Sequence, residues 1–295
     1  MYLGTNIISL IIVLAILVKV TELYIRNQPV TKSRRYSSYL VGTSETTRVI
    51  SLDKKEIRFN QWLAGLIDGD GCLLLSKLGY TSCEITVSLA DERILRIIQN
   101  KLGGSIKIRS GVKTLRWRLH NRTGMINLIN RINGYIRHSG RFIQLSHVCA
   151  ALNIQLLNSD TLHKKHGWFS GFFDADGTIN YYFKGKYNYP QLTLNVTNKL
   201  LVDVIHFKNY FGGEIYFDKS HNGYYKWSIQ SQDLINSFVE YTHICPVQSI
   251  KRNRLFLVKE YYRLISLEAY KALEGTILNK TWNKFNLKWN KPNLS

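Results

Sequence analysis

Four carboxylates stand in two matching places. Trp62-Leu63-Ala64-Gly65-Leu66-Ile67-Asp68-Gly69-Asp70-Gly71 is echoed by Trp168-Phe169-Ser170-Gly171-Phe172-Phe173-Asp174-Ala175-Asp176-Gly177, and each segment ends in Asp-x-Asp-Gly. Each reads as a helix whose acids sit at its C-terminal end, where the macrodipole is negative, a local penalty that points to function when it occurs twice. Small residues four apart (Gly65 and Gly69, Gly171 and Ala175) let two helix backbones approach closely. Packed about a pseudo-twofold, the two helices bring Asp70 and Asp176 face to face, and Gly71 and Gly177 are expected to turn the chain out of the helices with positive φ. Two adjacent carboxylates do not both ionise without a cation between them. Hard oxygen ligands with no cysteine or histidine pattern nearby call for Mg²⁺, and metal-activated water beside a phosphate is the arrangement for in-line phosphodiester hydrolysis. Asp68 and Asp174 point elsewhere on their helices and read as helix-end or interface hydrogen-bonders.

The elements that hold these acids also come in pairs. The Asp-x-Asp-Gly motifs are 106 residues apart, Leu102-Gly103-Gly104 and Phe211-Gly212-Gly213 are 109 apart, and Trp117 and Trp227 are 110 apart. Three landmarks in one order describe a duplicated domain. Each repeat reads α-β-β-α-β-β-α, an α+β fold with one antiparallel sheet per repeat. The strands alternate. Leu115, Trp117 and Leu119 oppose Arg116, Arg118 and His120, while Ile106 and Ile108 oppose Lys107 and Arg109. In the second half Tyr225, Trp227 and Ile229 oppose Lys226, Ser228 and Gln230, and Gln191, Thr193 and Asn195 line one face of their strand. A basic, amide-rich selection on several strands favours a surface for phosphates and base edges.

Composition agrees with that partner. The 295 residues are 45% hydrophobic, enough for two packed domains, and 40 Lys and Arg against 20 Asp and Glu leave a net charge of +20. Such a charge predicts a polyanion, nucleic acid first and an anionic membrane second. Cys72, Cys83, Cys149 and Cys245 lack metal or disulfide spacing and read as reduced, mostly buried thiols. His163 and His166 read as part of a solvated linker. Residues 1–18 carry no charge and are followed by a basic flank, so the run reads as a membrane span or as an exon-derived leader.

Leu63–Gly71 resembles the LAGLIDADG motif in all but one letter, Gly69 standing for alanine, and Phe169–Gly177 resembles a looser version of it. From about Asn60 to Leu267 the chain resembles a single-chain, two-repeat LAGLIDADG homing endonuclease. The resemblance implies duplicated αββαββα domains with saddle-shaped antiparallel sheets on a long DNA site, and Mg²⁺-dependent double-strand cleavage. Asp70 and Asp176 are the implied metal ligands. Asp91 and Asn198 are the implied polar residues after the second strand of each repeat, and Lys251 the implied basic residue near the scissile phosphate. The first repeat has no lysine there; Arg137 or His138 serves, or that half-site cuts more slowly. The divisions expected are 1–27 apolar segment, 28–55 linker, 56–153 first repeat, 154–166 linker, 167–268 second repeat and 269–295 basic tail, a late packing element or a loose end. By the same resemblance the chain is a monomeric product of a mitochondrial intron. It is either a DNA endonuclease that mobilises its intron or an RNA maturase that helps a group I intron splice.

Overall fold

The computed structural model describes residues 44–185, 188–220 and 223–291, with side chains from residue 54 onward. The first repeat runs α1 (Ser44–Asp70), β1 (Gly71–Leu75), β2 (Thr81–Ser88), a 3₁₀ turn, α2 (Glu92–Leu102), β3 (Ser105–Ile108), β4 (Thr114–Leu119), α3 (Arg122–Ile132) and α4 (Ser139–Leu152). The second runs α5 (Trp168–Asp176), β5 (Gly177–Lys184), β6 (Tyr189–Asn198), α6 (Leu201–Phe211), β7 (Glu214–Asp218), β8 (Tyr224–Ile229), α7 (Gln232–Ile244) and α8 (Lys251–Ser266); a 3₁₀ turn and α9 (Ile277–Asn290) follow. Each repeat forms a four-stranded antiparallel sheet, ordered β1-β2-β4-β3 and β5-β6-β8-β7.

The repeated landmarks are joined in space. Helix α2 buries Ile94, Leu95, Ile98 and Leu102 and ends at Gly103, whose φ of 72° suits glycine. Trp117 then donates its indole N–H to the Gly103 carbonyl at 2.8 Å. In the second repeat Trp227 does the same to Gly212 at 2.7 Å, and Gly212 has φ 71°. One tryptophan per repeat thus ties the sheet to the exit of its helix, which is why the two signals keep a common spacing.

Helix α1 starts at Ser44, so residues 44–55, expected to be linker, are helical. Once the motif turn is nucleated, extending a helix backward costs little even for polar residues. Residues 154–166 carry no helix or strand, yet they are not wholly solvated. His166 is 0% exposed, its Nε2 lies 3.2 Å from both Asp160 oxygens, and its Nδ1 accepts from the Trp168 N–H at 3.1 Å. Burial pulls its pKa down to about 4. The charge of Arg137 adds to that shift and Asp160 opposes it. All four cysteines are free, and all but Cys72 are buried. The basic tail is a packing element, for α9 buries Trp282, Phe285 and Trp289. The apolar run 1–18 lies outside the described residues; among the described ones no helix is long and apolar enough to cross a membrane.

Candidate metal and nucleic-acid site

Helices α1 and α5 meet backbone to backbone. A Cβ added to Gly65 would lie 2.1 Å from the Trp168 carbonyl oxygen, and one on Gly171 would lie 1.9 Å from that of Trp62. Further along, a Cβ on Gly69 would meet that of Ala175 at 2.2 Å. The small residues are therefore a steric requirement of this interface. Its ends are locked reciprocally: Trp62 donates its indole N–H to Asp174 at 2.8 Å, and Trp168 donates to Asp68 at 2.6 Å. Asp174 also accepts the backbone N–H groups of Gln248 (2.9 Å) and Ser249 (2.7 Å), and Asp68 accepts that of Arg137 (2.8 Å). The first acid of each motif is thus an interface hydrogen-bonder, as the sequence suggests. Burial raises both, Asp68 to about 7, against those donors.

The second acids are different. Asp70 is the last residue of α1 and is exposed at the helix end, though protein surrounds the base of its side chain. Burial first, then the charge of Asp176, push it up to about 7, while Lys251 and Arg141 oppose the shift and Asp91 adds to it. Burial also raises Asp176, against the hydrogen bond from Asn198 Nδ2 (3.1 Å) and the charges of Lys251, His138 and Arg141. Two mutually repelling carboxylates from different repeats are a site for a hard cation. Among the described residues no group of three or more Cys, His, Asp and Glu could hold a metal. That donor set suits an ion that keeps waters and takes substrate oxygens, as Mg²⁺ does.

Gly71 and Gly177 do not turn the chain by positive φ. Gly177 has φ −79° and ψ 153°, and Gly71 is absent from the positive-φ glycines. Their requirement is steric: a Cβ on Gly71 would lie 2.7 Å from the Ile67 carbonyl oxygen, and one on Gly177 would lie 2.4 Å from that of Phe173.

Lys251 lies at the foot of α5. Its ammonium donates to the carbonyls of Phe173 (3.0 Å), Asp174 (2.6 Å) and Ala175 (2.9 Å), which uses all three of its protons. Arg141 takes the matching place in the first repeat, where its Nε donates to the Ile67 carbonyl at 3.3 Å. The sequence points instead to Arg137 or His138. Arg137 is held by Asp160, and His138 accepts from the Gly140 N–H (3.1 Å) and lies 3.4 Å from Asp203. The register of the last helix hides the match: Lys251 opens α8, whereas Arg141 is third in α4.

Asn198 touches Asp176, but Asp91 makes no hydrogen bond to Asp70. Asp91 accepts the Ile250 N–H at 2.8 Å and the Ser88 hydroxyl at 2.8 Å. Its structural partner is Asp203, which accepts the Ser139 N–H at 3.0 Å. An acid of each repeat therefore caps the entry to the last helix of the other, a pattern that no local signal announces.

The polar sheet faces are as the alternation predicts. Strand pairing places Glu84, Thr86, Lys107, Arg116 and Arg118 on one face of the first sheet. Arg109 and His120 continue it just beyond strand ends and are exposed. Glu84, which the sequence reading did not single out, holds both arginines, at 3.1 Å from Arg116 and 3.2 Å from Arg118. In the second sheet Thr178 pairs with Asn195, Asn195 with Ser228, and Thr197 with Lys226. Thr193, Asn195 and Ser228 are only 6%, 9% and 6% exposed, so they form a floor rather than protruding readers. Small side chains on central strands are shaded by longer neighbours. Gln191 donates to the Gln230 carbonyl at 3.0 Å, and Gln230 itself lies just beyond β8 and is exposed. Thr178, Asn180 and Tyr182 on edge strand β5 are exposed on this face, as are Glu214 and Tyr216 on edge strand β7.

The family model for LAGLIDADG endonucleases matches residues 63–152 and 169–262. A probable intron-encoded endonuclease, aI2, of Debaryomyces hansenii is 49% identical over 311 residues, covering 92% of this chain and 47% of that protein. An intron-encoded RNA maturase, bI4, of Saccharomyces cerevisiae is 49% identical over 299 residues with the same coverage of each. The chain thus spans about half the length of these relatives. Among solved structures, the I-LtrWI LAGLIDADG homing endonuclease bound to target DNA superposes with a TM-score of 0.58 at 16% identity, covering 81% of this chain and all of that one, a likeness of fold. With both motif helices, both sheets and both halves matched, the chain belongs to the LAGLIDADG endonuclease family.

Proposed function

We propose that this chain is a site-specific double-strand DNA endonuclease that promotes the mobility of its host intron. The observation that carries the reading is the meeting of Asp70 and Asp176 at the seam of two repeats, each of which also presents a basic or amide-rich sheet face. The relative named as an intron-encoded endonuclease supports it. A divalent cation, which we take to be Mg²⁺, would sharpen the acidity of a water and offset charge on the scissile phosphate. Asp70 and Asp176 would hold it. Asn198 fixes the orientation of Asp176. Lys251 and Arg141 keep the two helix ends in register, and Asp91 secures the start of the helix that carries Lys251. Lys107, Arg109, Arg116, Arg118, His120 and Lys226 supply phosphate and base contacts, with Gln191, Gln230 and the floor of Thr193, Asn195 and Ser228 shaping the second half-site.

The test is cleavage of a plasmid carrying the intronless exon junction, with Mg²⁺. Asp70→Asn and Asp176→Asn should each abolish cutting while DNA binding persists. Cutting that survives either substitution overturns the metal assignment.

A second reading has a specific support, the equal identity to a protein named as an RNA maturase. In that reading the same basic surface assists splicing of a group I intron. Splicing rescue by both Asp→Asn variants, with no cutting by the wild type, would favour it. We place either activity in the mitochondrion and take the chain to act as a monomer, because both halves of the site lie on one polypeptide. Association with a membrane through residues 1–18 is tested by fractionation with and without that segment.

A further inference from the structure

Helix α9 has no counterpart in the first repeat, and it lies beyond residue 262, where the family match ends. Its Phe285 and Trp289 rings pack on Tyr181 of β5 and Tyr261 of α8, and the Tyr181 hydroxyl is hydrogen-bonded to Asn286. This docking encloses a cleft of about 480 Å³ lined by Thr178 and Asn180, by Lys251 and Arg254, and by Lys288 and Lys291. No carboxylate lines it; Glu260, 3.4 Å from Lys288, and Asp176, next to Gly177 in the chain, border it.

Two features give the cleft a direction. Thr178 and Asn180 share the sheet face of Asn195 and Thr193, and Gly177, also in its lining, follows Asp176 directly. The cleft therefore starts one residue beyond Asp176 and reaches the polar face of the second sheet through Thr178 and Asn180. Its cations are also held in place. Arg254 donates to the carbonyls of Trp289 (3.1 Å) and Ile179 (2.9 Å), with its guanidinium 5.4 Å from the Trp289 ring. Lys280 and Lys284 continue the row at helical spacing on the exposed side of α9.

We propose that this cleft binds the sugar-phosphate backbone of duplex DNA beside the cleavage point, in the half-site held by the second repeat. The proposal rests on the DNA-cleaving reading above. A phosphate needs cations and hydrogen-bond donors, and Lys288, Lys291, Arg254 and Asn180 supply them, with Lys288 also 3.4 Å from Glu260. Since nothing equivalent to α9 exists in the first repeat, the second half-site is gripped by additional backbone contacts.

The experiment measures binding of a fluorescent duplex of arbitrary sequence in Ca²⁺ as a function of salt. The Lys288→Gln/Lys291→Gln variant is compared with the wild type and with a charge-matched control, Lys259→Gln/Arg263→Gln, on the exposed side of α8. Losing two phosphate contacts should flatten the plot of log K against log salt by about 1 to 2, with folding unchanged by circular dichroism. The control should leave the slope as it was. An unchanged slope, or an equal loss in the control, overturns the cleft. A loss confined to structured RNA, with duplex binding intact, also overturns it. A wild type that binds no duplex at any salt overturns the DNA-cleaving reading and the cleft with it, a failure distinct from binding that the double variant leaves intact.

Discussion

Lys251 donates a 2.6 Å hydrogen bond to the carbonyl of Asp174, the residue two places before Asp176, the proposed metal ligand. With its bonds to Phe173 and Ala175 it sets its ammonium at the C-terminal end of α5, where burial pulls its pKa below the usual lysine value and the nearby acids oppose that shift. That charge offsets the conflict of an acid at a helix C-terminus, and it reaches both Asp70 and Asp176. Arg141 does the same for α1 through a single 3.3 Å bond. The duplicated motif is thus symmetric in its carboxylates and unequal in the cations that support them.

That inequality gives an ordering. Lys251→Met takes a donor from three carbonyls, of which that of Phe173 keeps the Gly177 N–H, and leaves the acids without their inner counter-charge, for a loss of about 2 to 3 kcal/mol. Arg141→Met removes two long hydrogen bonds, to the Ile67 carbonyl (3.3 Å) and to Gln144 (3.5 Å), and a partly solvated charge, for about 1 kcal/mol. Urea denaturation of metal-free protein measures both. Equal losses, or a larger one for Arg141→Met, would show that the two helix ends are supported alike.

The helix interface makes a sharper demand. Alanine at Gly65 or Gly171 puts a methyl group within 2.1 or 1.9 Å of a backbone oxygen that no rotamer change can move. Either substitution must separate α1 from α5, at a cost of at least about 3 kcal/mol, and should spread Asp70 from Asp176 enough to end cleavage. Gly140→Ala is the contrast, because its Cβ would meet nothing closer than the His138 ring at 3.4 Å. It should change stability by less than about 1 kcal/mol. Melting curves and a nicking assay on all three variants decide the point, and a folded, active Gly65→Ala protein would rule it out.

These contrasts mark what a sequence can carry. Gly65 and Gly69, the alternation through Arg116 and Trp117, and the Trp117–Gly103 spacing were legible because period and steric size act locally. The Asp91–Ile250 contact joins residues 159 positions apart, and only the assembled pseudo-twofold brings them together. Arg141 escaped because its helix begins two residues earlier, relative to the basic residue, than the helix of Lys251. The positive φ expected at Gly71 failed for another reason: strand β1 starts directly at the helix end, so the glycine answers to crowding by Ile67 instead of to chirality.

His166 provides a titration far from the catalytic end. Its folded pKa is about 4, below the ordinary 6.5, so the unfolded chain takes up a proton before the folded one does. Its contribution is fully present above about pH 6.5 and is lost as pH falls toward 4, up to about 3 kcal/mol in all. Denaturant midpoints between pH 7.5 and 5 should fall in the wild type. They should fall less in His166→Gln, which keeps a polar side chain without the titration. Parallel slopes for the two proteins would mean that His166 already carries its proton beside Asp160.

Asp70 titrates in the opposite sense. Its folded pKa, about 7, lies above the ordinary 3.8, so its proton stabilises the fold in acid and that stabilisation is lost as pH rises through 7. At pH 8 without metal, the ionised carboxylate faces Asp176 and costs stability. Asp70→Asn removes that cost, so metal-free Asp70→Asn should melt higher than the wild type at pH 8 and about level with it at pH 5. Millimolar Mg²⁺ or Ca²⁺ should raise the wild-type melting temperature at pH 8 and leave the variant unmoved, since a bound cation stabilises only a fold that can hold it. The stability gain and the loss of cleavage would then come from one substitution, as expected where a pair of acids is kept for its chemistry at the expense of the fold. An Asp70→Asn protein that melts lower than the wild type at pH 8 would mean that Asp70 is already neutralised by Lys251 and Arg141, and that no cation is needed to hold the pair together.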